Sequence, residues 1–239
     1  MAEGTRVLRP IPVLVVFSLC VVAFIAWASL QGSDKNSCSV PNVRSELQDA
    51  LCSGDAKRLR KALFDVAANS AQQPETAQEL EALRRVYVHE QQFGSHLPWE
   101  KLSTLEVQAV LIDELSQAVR NGELDMSLMD MQGVAKQVLV SKSEVDQWDG
   151  LRLLGLTDDT ASIPMLRQVA MSGGELPVRR NSAIEALGYI CDPAAKAALD
   201  DLVIATAGVQ LYSRYVQKAL AYRAGLERSW CRKSSGQGS

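Results

Sequence analysis

The hydrophobic pattern of the chain falls into two regimes. Residues 11–30, IPVLVVFSLCVVAFIAWASL, run without a charge, and about twenty helical residues at 1.5 Å each span the hydrocarbon core of a bilayer. This run predicts a transmembrane helix, with Cys20 facing lipid. Beyond it the apolar residues thin out and recur at three- and four-residue spacing, the signature of helices with one buried face. That spacing predicts helices over 42–53, 55–69, 75–92, 99–120 and 124–140, separated by Gly54, Pro74, the 94–98 stretch and Gly122. On the fourth of these, Leu105, Ala109, Ile112, Leu115 and Val119 form the expected buried stripe. No segment reads convincingly as a strand, so the predicted fold class is all-α.

From residue 143 onward the pattern repeats. Leu154-Gly155 returns 33 residues later as Leu187-Gly188, and the same offset relates Val145 to Val178, Leu151 to Ile184, Asp159 to Asp192 and Leu166 to Leu199. Ala186-Leu187-Gly188-Tyr189 reappears in turn as Ala219-Leu220-Ala221-Tyr222. Repetition at this period marks helix pairs, each leaving an apolar face that the next pair must cover. In the second repeat that face is Ala183, Ala186, Leu187 and Ile190, opposed by Arg180, Asn181 and Glu185; in the helix after it, Ala195, Ala198, Leu199, Leu202 and Val203. Asp192-Pro193 reads as an N-cap followed by proline at the first helical position, where a missing N–H costs nothing. One step back from Leu154 lies Asn121-Gly122, a helix stop, so the register does not extend upstream.

Residues 178–199, VRRNSAIEALGYICDPAAKAAL, resemble the short HEAT repeat that is also found in phycobilisome lyases. Arg180, Ala183, Ala186-Leu187-Gly188, Ile190, Asp192-Pro193 and Leu199 carry the resemblance, with Asp159, Ile163-Pro164 and Leu166 upstream. It departs at Cys191, where Gly is usual, at Val178, one residue too far from Gly188, and at Trp148-Asp149, where Ala is common. The resemblance implies an α-solenoid over 143–229, with an intra-repeat polar ladder from Arg180 to Asp192. The expected organisation is a cytoplasmic tail (1–10), a transmembrane helix (11–30), a linker (31–41), a helical region (42–142), HEAT-like repeats (143–229) and a flexible tail (230–239).

Charge orients this arrangement. Arg6, Arg9 and the amino terminus outweigh Glu3 before the apolar run, whereas Asp34 balances Lys35 after it, so the positive-inside bias keeps the N-terminus cytoplasmic. Everything after Leu30 is then extracytoplasmic, as in the bacterial periplasm. A signal peptide cleaved near Ala26-Trp27-Ala28 is the rival reading, and it exports the domain as well. With a net charge of −3 over the chain, the exported part is mildly acidic, which argues against nucleic acid as a partner.

Candidate chemistry is sparse. His89-Glu90-Gln91-Gln92-Phe93 falls short of a zinc-peptidase motif because Phe93 stands where the second histidine must be, and both His89 and His96 read as solvated. No nucleophile has an evident base beside it, Gly173-Gly174 lacks the Lys-Ser/Thr of a phosphate loop, and Asp158-Asp159 and Asp200-Asp201 read as a cap and an exposed face. No catalytic residue, metal or cofactor is expected. Arg179, Arg180, Arg214 and Lys218, with Arg223 beyond them, make the last repeats locally basic, a candidate partner-binding patch set against ordinary exposed helix positions.

Four cysteines, Cys38, Cys52, Cys191 and Cys231, fall in the exported part, where disulfides persist. Cys191 ends one repeat's first helix and Cys231 lies just past the next one; such helices run parallel, so the two are expected to pair. Buried free thiols are the alternative. Cys38 and Cys52 then pair by elimination unless the helix between them holds them apart, which leaves Cys38 open to intermolecular bonding. The functional expectation is a non-enzymatic, membrane-anchored scaffold for protein partners, held in the bilayer by residues 11–30. An assembly factor or structural adaptor of an envelope complex is the alternative, and a lyase-like cofactor-attachment enzyme ranks below both.

Overall fold

A computed structural model describes residues 38–69 and 76–231. The tail 1–10, the apolar run 11–30, most of the linker, the break at Pro74 and residues 232–239 lie outside the described residues. Among the described residues no helix is long and apolar enough to cross a membrane.

Eleven α-helices and no strands make up the described part. They are α1 (Ser45–Ser53), α2 (Ala56–Asn69), α3 (Thr76–Tyr87), α4 (Trp99–Leu102), α5 (Leu105–Asn121), α6 (Met129–Leu139), α7 (Glu144–Leu156), α8 (Ile163–Met171), α9 (Pro177–Tyr189), α10 (Pro193–Ala205) and α11 (Gln210–Arg228). A 3-10 turn, Thr160–Ser162, precedes α8.

The repeat register is visible as contacts between residues 33 apart. Arg152 reaches Glu185, the Asp158 carboxylate accepts from the Cys191 N–H, and the Tyr189 and Tyr222 rings meet edge to face at 4.7 Å. These pairs make α7, α9 and α11 parallel neighbours. Glycine sets their spacing: a methyl group on Gly155 would overlap the backbone of Ala186, and one on Gly188 would press on Ala219.

The stack also continues upstream where the sequence register stops. Asp113 of α5 binds Arg152 of α7 at an offset of 39 residues, and further along both helices Arg120 of α5 donates to the Gly155 carbonyl of α7, so α5 lies parallel to α7 with a longer connection between them.

Two hydrophobic clusters fill the interior. The first draws on α1 to α6 and takes Leu153, Leu154 and Leu156 from α7; the second runs from Leu151 of α7 through Val216 and Ala219 of α11. Helix α7 therefore serves both.

Several expected boundaries move. The helix expected over 75–92 ends at Tyr87, because His89 adopts a left-handed φ of 52° and the Glu90 N–H bonds back to the Arg85 carbonyl, a C-terminal cap of the Schellman kind. Phe93 then tucks in under the Arg85 guanidinium, 4.3 Å from the ring centroid. The helix expected over 99–120 breaks at Ser103-Thr104, where both hydroxyls take main-chain carbonyls of the preceding turn. The helix expected over 124–140 begins only at Met129, since Leu124, Met126 and Leu128 reach the first cluster at a spacing of two, as extended chain does.

The packing adds detail to this picture. Helix α5 is not a single-stripe helix, because α2, α3, α6 and α7 all pack on it, and Val107, Val110 and Leu111 are buried beside the predicted stripe. Val145 and Val178, equivalent in the repeat, both point outward. The start of the expected flexible tail is ordered: Trp230 packs on the first cluster, and Cys231 is bonded to Cys191.

Candidate interaction surface

An open groove of about 840 Å³ lies between the α1–α2 turn, the start of α5, the end of α6 and the start of α7. Its floor is apolar, with Leu105, Ala109, Val138 and Val145, while Lys57, Arg60, Lys101, Glu106 and Asp149 stand at its rim.

Local structure explains the rim. Asp55 caps α2 by accepting from the Lys57 and Arg58 N–H groups at 2.8 and 3.2 Å, and those bonds, Arg58's first, hold its carboxyl below its ordinary value. Ser143 caps α7 through the Asp146 N–H. Arg60 donates to Asp149 at 2.7 Å and ties α2 to α7 across the groove. An apolar trough with mixed charges along its edge can hold a polypeptide segment, its apolar side chains on the floor and its charges on the rim.

Of the four residues in the expected basic patch, two are committed to the fold. Arg180 lies 3.8 Å over the Tyr212 ring and donates to the Ala170 carbonyl, and Arg179 pairs with Glu175. Arg180 therefore makes no ladder to Asp192, whose carboxylate instead accepts from the Ala194 N–H and caps α10. Arg214 and Lys218 are exposed on α11. Arg223, which the local basic character also drew in, is 3% exposed and donates to the main-chain carbonyls of Ile190, Cys191 and Asp192.

Arg120, 4% exposed on α5, does the same for the preceding helix, donating to Gly155 and Leu156 at the end of α7 and to Tyr189 at the end of α9. Carbonyls left unpaired at helix ends are thus satisfied by guanidinium groups from neighbouring helices. Nothing in the sequence distinguishes these arginines from exposed ones, except that each falls near the end of an amphipathic helix.

The histidines are not equivalent. His96 is exposed, but His89 is half-buried with its ring 5.7 Å from that of Trp99. Among the described residues no cluster of His, Cys, Asp or Glu is placed to hold a metal. The four described cysteines fall into two bonded pairs, Cys191 with Cys231 and Cys38 with Cys52, with Cα atoms 5.3 and 5.7 Å apart. Helix α1 does not separate the second pair, because Cys52 lies in its last turn, next to the incoming chain.

Another, smaller cavity of about 260 Å³ is lined by Glu114 with Phe64, Val110, Asp113 and Arg152. Burial, and then the charges of Asp113 and Glu123, push the Glu114 carboxyl up from 4.5 to about 7. A raised carboxyl favours the folded state while it is protonated, so this contribution is full below 4.5 and is lost as the pH rises through 7. Glu114→Gln is therefore expected to stabilise the domain at pH 8, by roughly 1–3 kcal/mol after allowance for residual solvent contact, and to do little near pH 4. Urea unfolding at the two pH values checks this, and a difference that does not vary with pH would contradict it.

Comparison of the chain with protein-family models, with curated proteins and with solved structures finds no match.

Proposed function

We propose that this chain is a membrane-anchored, extracytoplasmic interaction scaffold built on HEAT-like repeats, with residues 11–30 as its anchor and a protein segment as its partner. The groove carries the reading: an open trough of about 840 Å³ with an apolar floor and a rim of both charge signs matches the mixed side chains of a polypeptide segment. Two cysteine pairs at bonding distance fit an oxidising compartment outside the cytoplasm. The reading is of a binding protein rather than an enzyme.

Crosslinking in native membranes with a reagent that cannot cross them tests the proposal. Val145→Asp and Lys101→Glu alter the floor and rim at exposed positions, so the fold survives them. Each is expected to weaken capture of the partner about tenfold, equivalent to ~1.4 kcal/mol, while Lys196→Glu on α10 changes nothing. Crosslinks unaffected by the groove variants would overturn it.

A further inference from the structure

One edge of the repeat stack exposes apolar side chains in register. Val145, Val178 and Leu211 occupy equivalent places in the first turns of α7, α9 and α11 and are 55%, 48% and 50% exposed. Just before α9 and α11 stand Leu176 and Val209, again equivalent, 51% and 47% exposed. Met171, last in α8, and Ile204, near the end of α10, make a third row. Because α7, α9 and α11 are parallel, all three rows fall at the same end of the helices and run along one edge.

The second row is costly to the helices themselves. Leu176 and Val209 are N-cap residues with no side-chain cap bond, whereas Ser143, at the equivalent place before α7, does cap its helix. An apolar residue at an N-cap forfeits about 1 kcal/mol. Twice, then, the cap is given up for an apolar side chain that the domain leaves half exposed. Repeated exposed apolar positions of this kind mark a contact surface.

The chain outside the described residues indicates what covers it. Cys38 is bonded to Cys52 in the last turn of α1, and the next residues, Ser53 and Gly54, line the same groove as Val145. The chain thus enters the domain beside the groove that Val145, the first member of the outer row, also lines. The uncharged run ends at Leu30, and residues 31–38, even fully extended, reach only about 27 Å. Resting on the anchor reading above, we propose that the ladder of Leu176, Val178, Val209 and Leu211 lies in the interfacial layer of the lipid bilayer that holds residues 11–30. Lys142 and Arg214 stand beside the ladder with Glu144 and Glu175, so both charge signs border it, and apolar burial rather than net charge drives the contact. Val145 also belongs to the groove and is left out of the test.

The test is site-specific photocrosslinking of the full chain in native membranes, with benzoylphenylalanine replacing Leu176 or Leu211, and Lys196 as control. Phospholipid adducts are expected at the two ladder positions on the order of tenfold above the control, and high salt should not reduce them. Adducts to another protein or to a second copy, or no adducts, would overturn the proposal. Alkaline extraction of the same membranes separates the two readings. Release of the chain sinks the anchor and the ladder together, whereas a retained chain without lipid adducts sinks the ladder alone.

Discussion

Leu187→Asp is expected to abolish the cooperative melting of the repeat stack. Leu187 is fully buried in the second cluster, between Ala186 and Gly188, whose own neighbours are the backbone of Gly155 on one side and Ala219 on the other. Helices in backbone contact on both sides cannot shift to bring a carboxylate to water. An unpaired buried charge costs about 3–5 kcal/mol, a large share of the 5–15 kcal/mol that holds a typical domain together. The damage does not stop at α9, because α7 supplies residues to both clusters and loses its partner when α9 detaches. Leu187→Met, similar in volume, is expected to cost less than about 1.5 kcal/mol. Thermal melting followed by circular dichroism distinguishes the two variants, and a Leu187→Asp protein that melts like the parent would rule out this core.

The features legible in the sequence were those that depend on neighbours along the chain. Asp192-Pro193 reads as a helix start because cap and proline act within one turn, and α10 begins at Pro193 with the Asp192 carboxylate on the Ala194 N–H. The 33-residue register is likewise a property of the chain, and its end at Asn121-Gly122 coincides with the end of α5 at a left-handed glycine. What the register could not tell is which equivalent positions face inward. Leu154 and Leu187 do, whereas Val145 and Val178 face outward, although both pairs match equally well as letters.

The candidate site was less legible for a different reason. The groove is assembled from turns and helix ends far apart in sequence, with Arg60 meeting Asp149 across 89 residues. In the sequence Arg223 is indistinguishable from its exposed neighbours, and only the end of α9 packing beneath it makes it a buried guanidinium. Arg179 and Arg180 raised the opposite difficulty: the charges are there, but Glu175 and Tyr212 occupy them.

Removing the Cys191–Cys231 bond is expected to loosen the C-terminal end of the stack first and to lower stability by about 3–4 kcal/mol, since the bond closes a loop of 40 residues. The physical reason is positional. Helix α11 has repeat neighbours on one side only, and the bond joins the chain just beyond it to the residue just beyond α9. Arg223 holds the same segment through the carbonyls of Ile190, Cys191 and Asp192, so the end of α11 is tied twice, once covalently and once through hydrogen bonds. Trp230, the residue before Cys231, packs on the first cluster and gives a local reporter. Replacing both cysteines with serine should shift the Trp230 emission towards that of a solvated indole before the rest of the domain melts, and should lower Tm by roughly 10 °C. The Cys38–Cys52 bond spans only 14 residues, and its removal should cost about 1 kcal/mol less. Matched thermal melts of the two double-serine variants test this ordering. Equal losses would show that loop entropy does not govern it, and an unchanged Tm without Cys191 and Cys231 would show that Arg223 alone secures the helix.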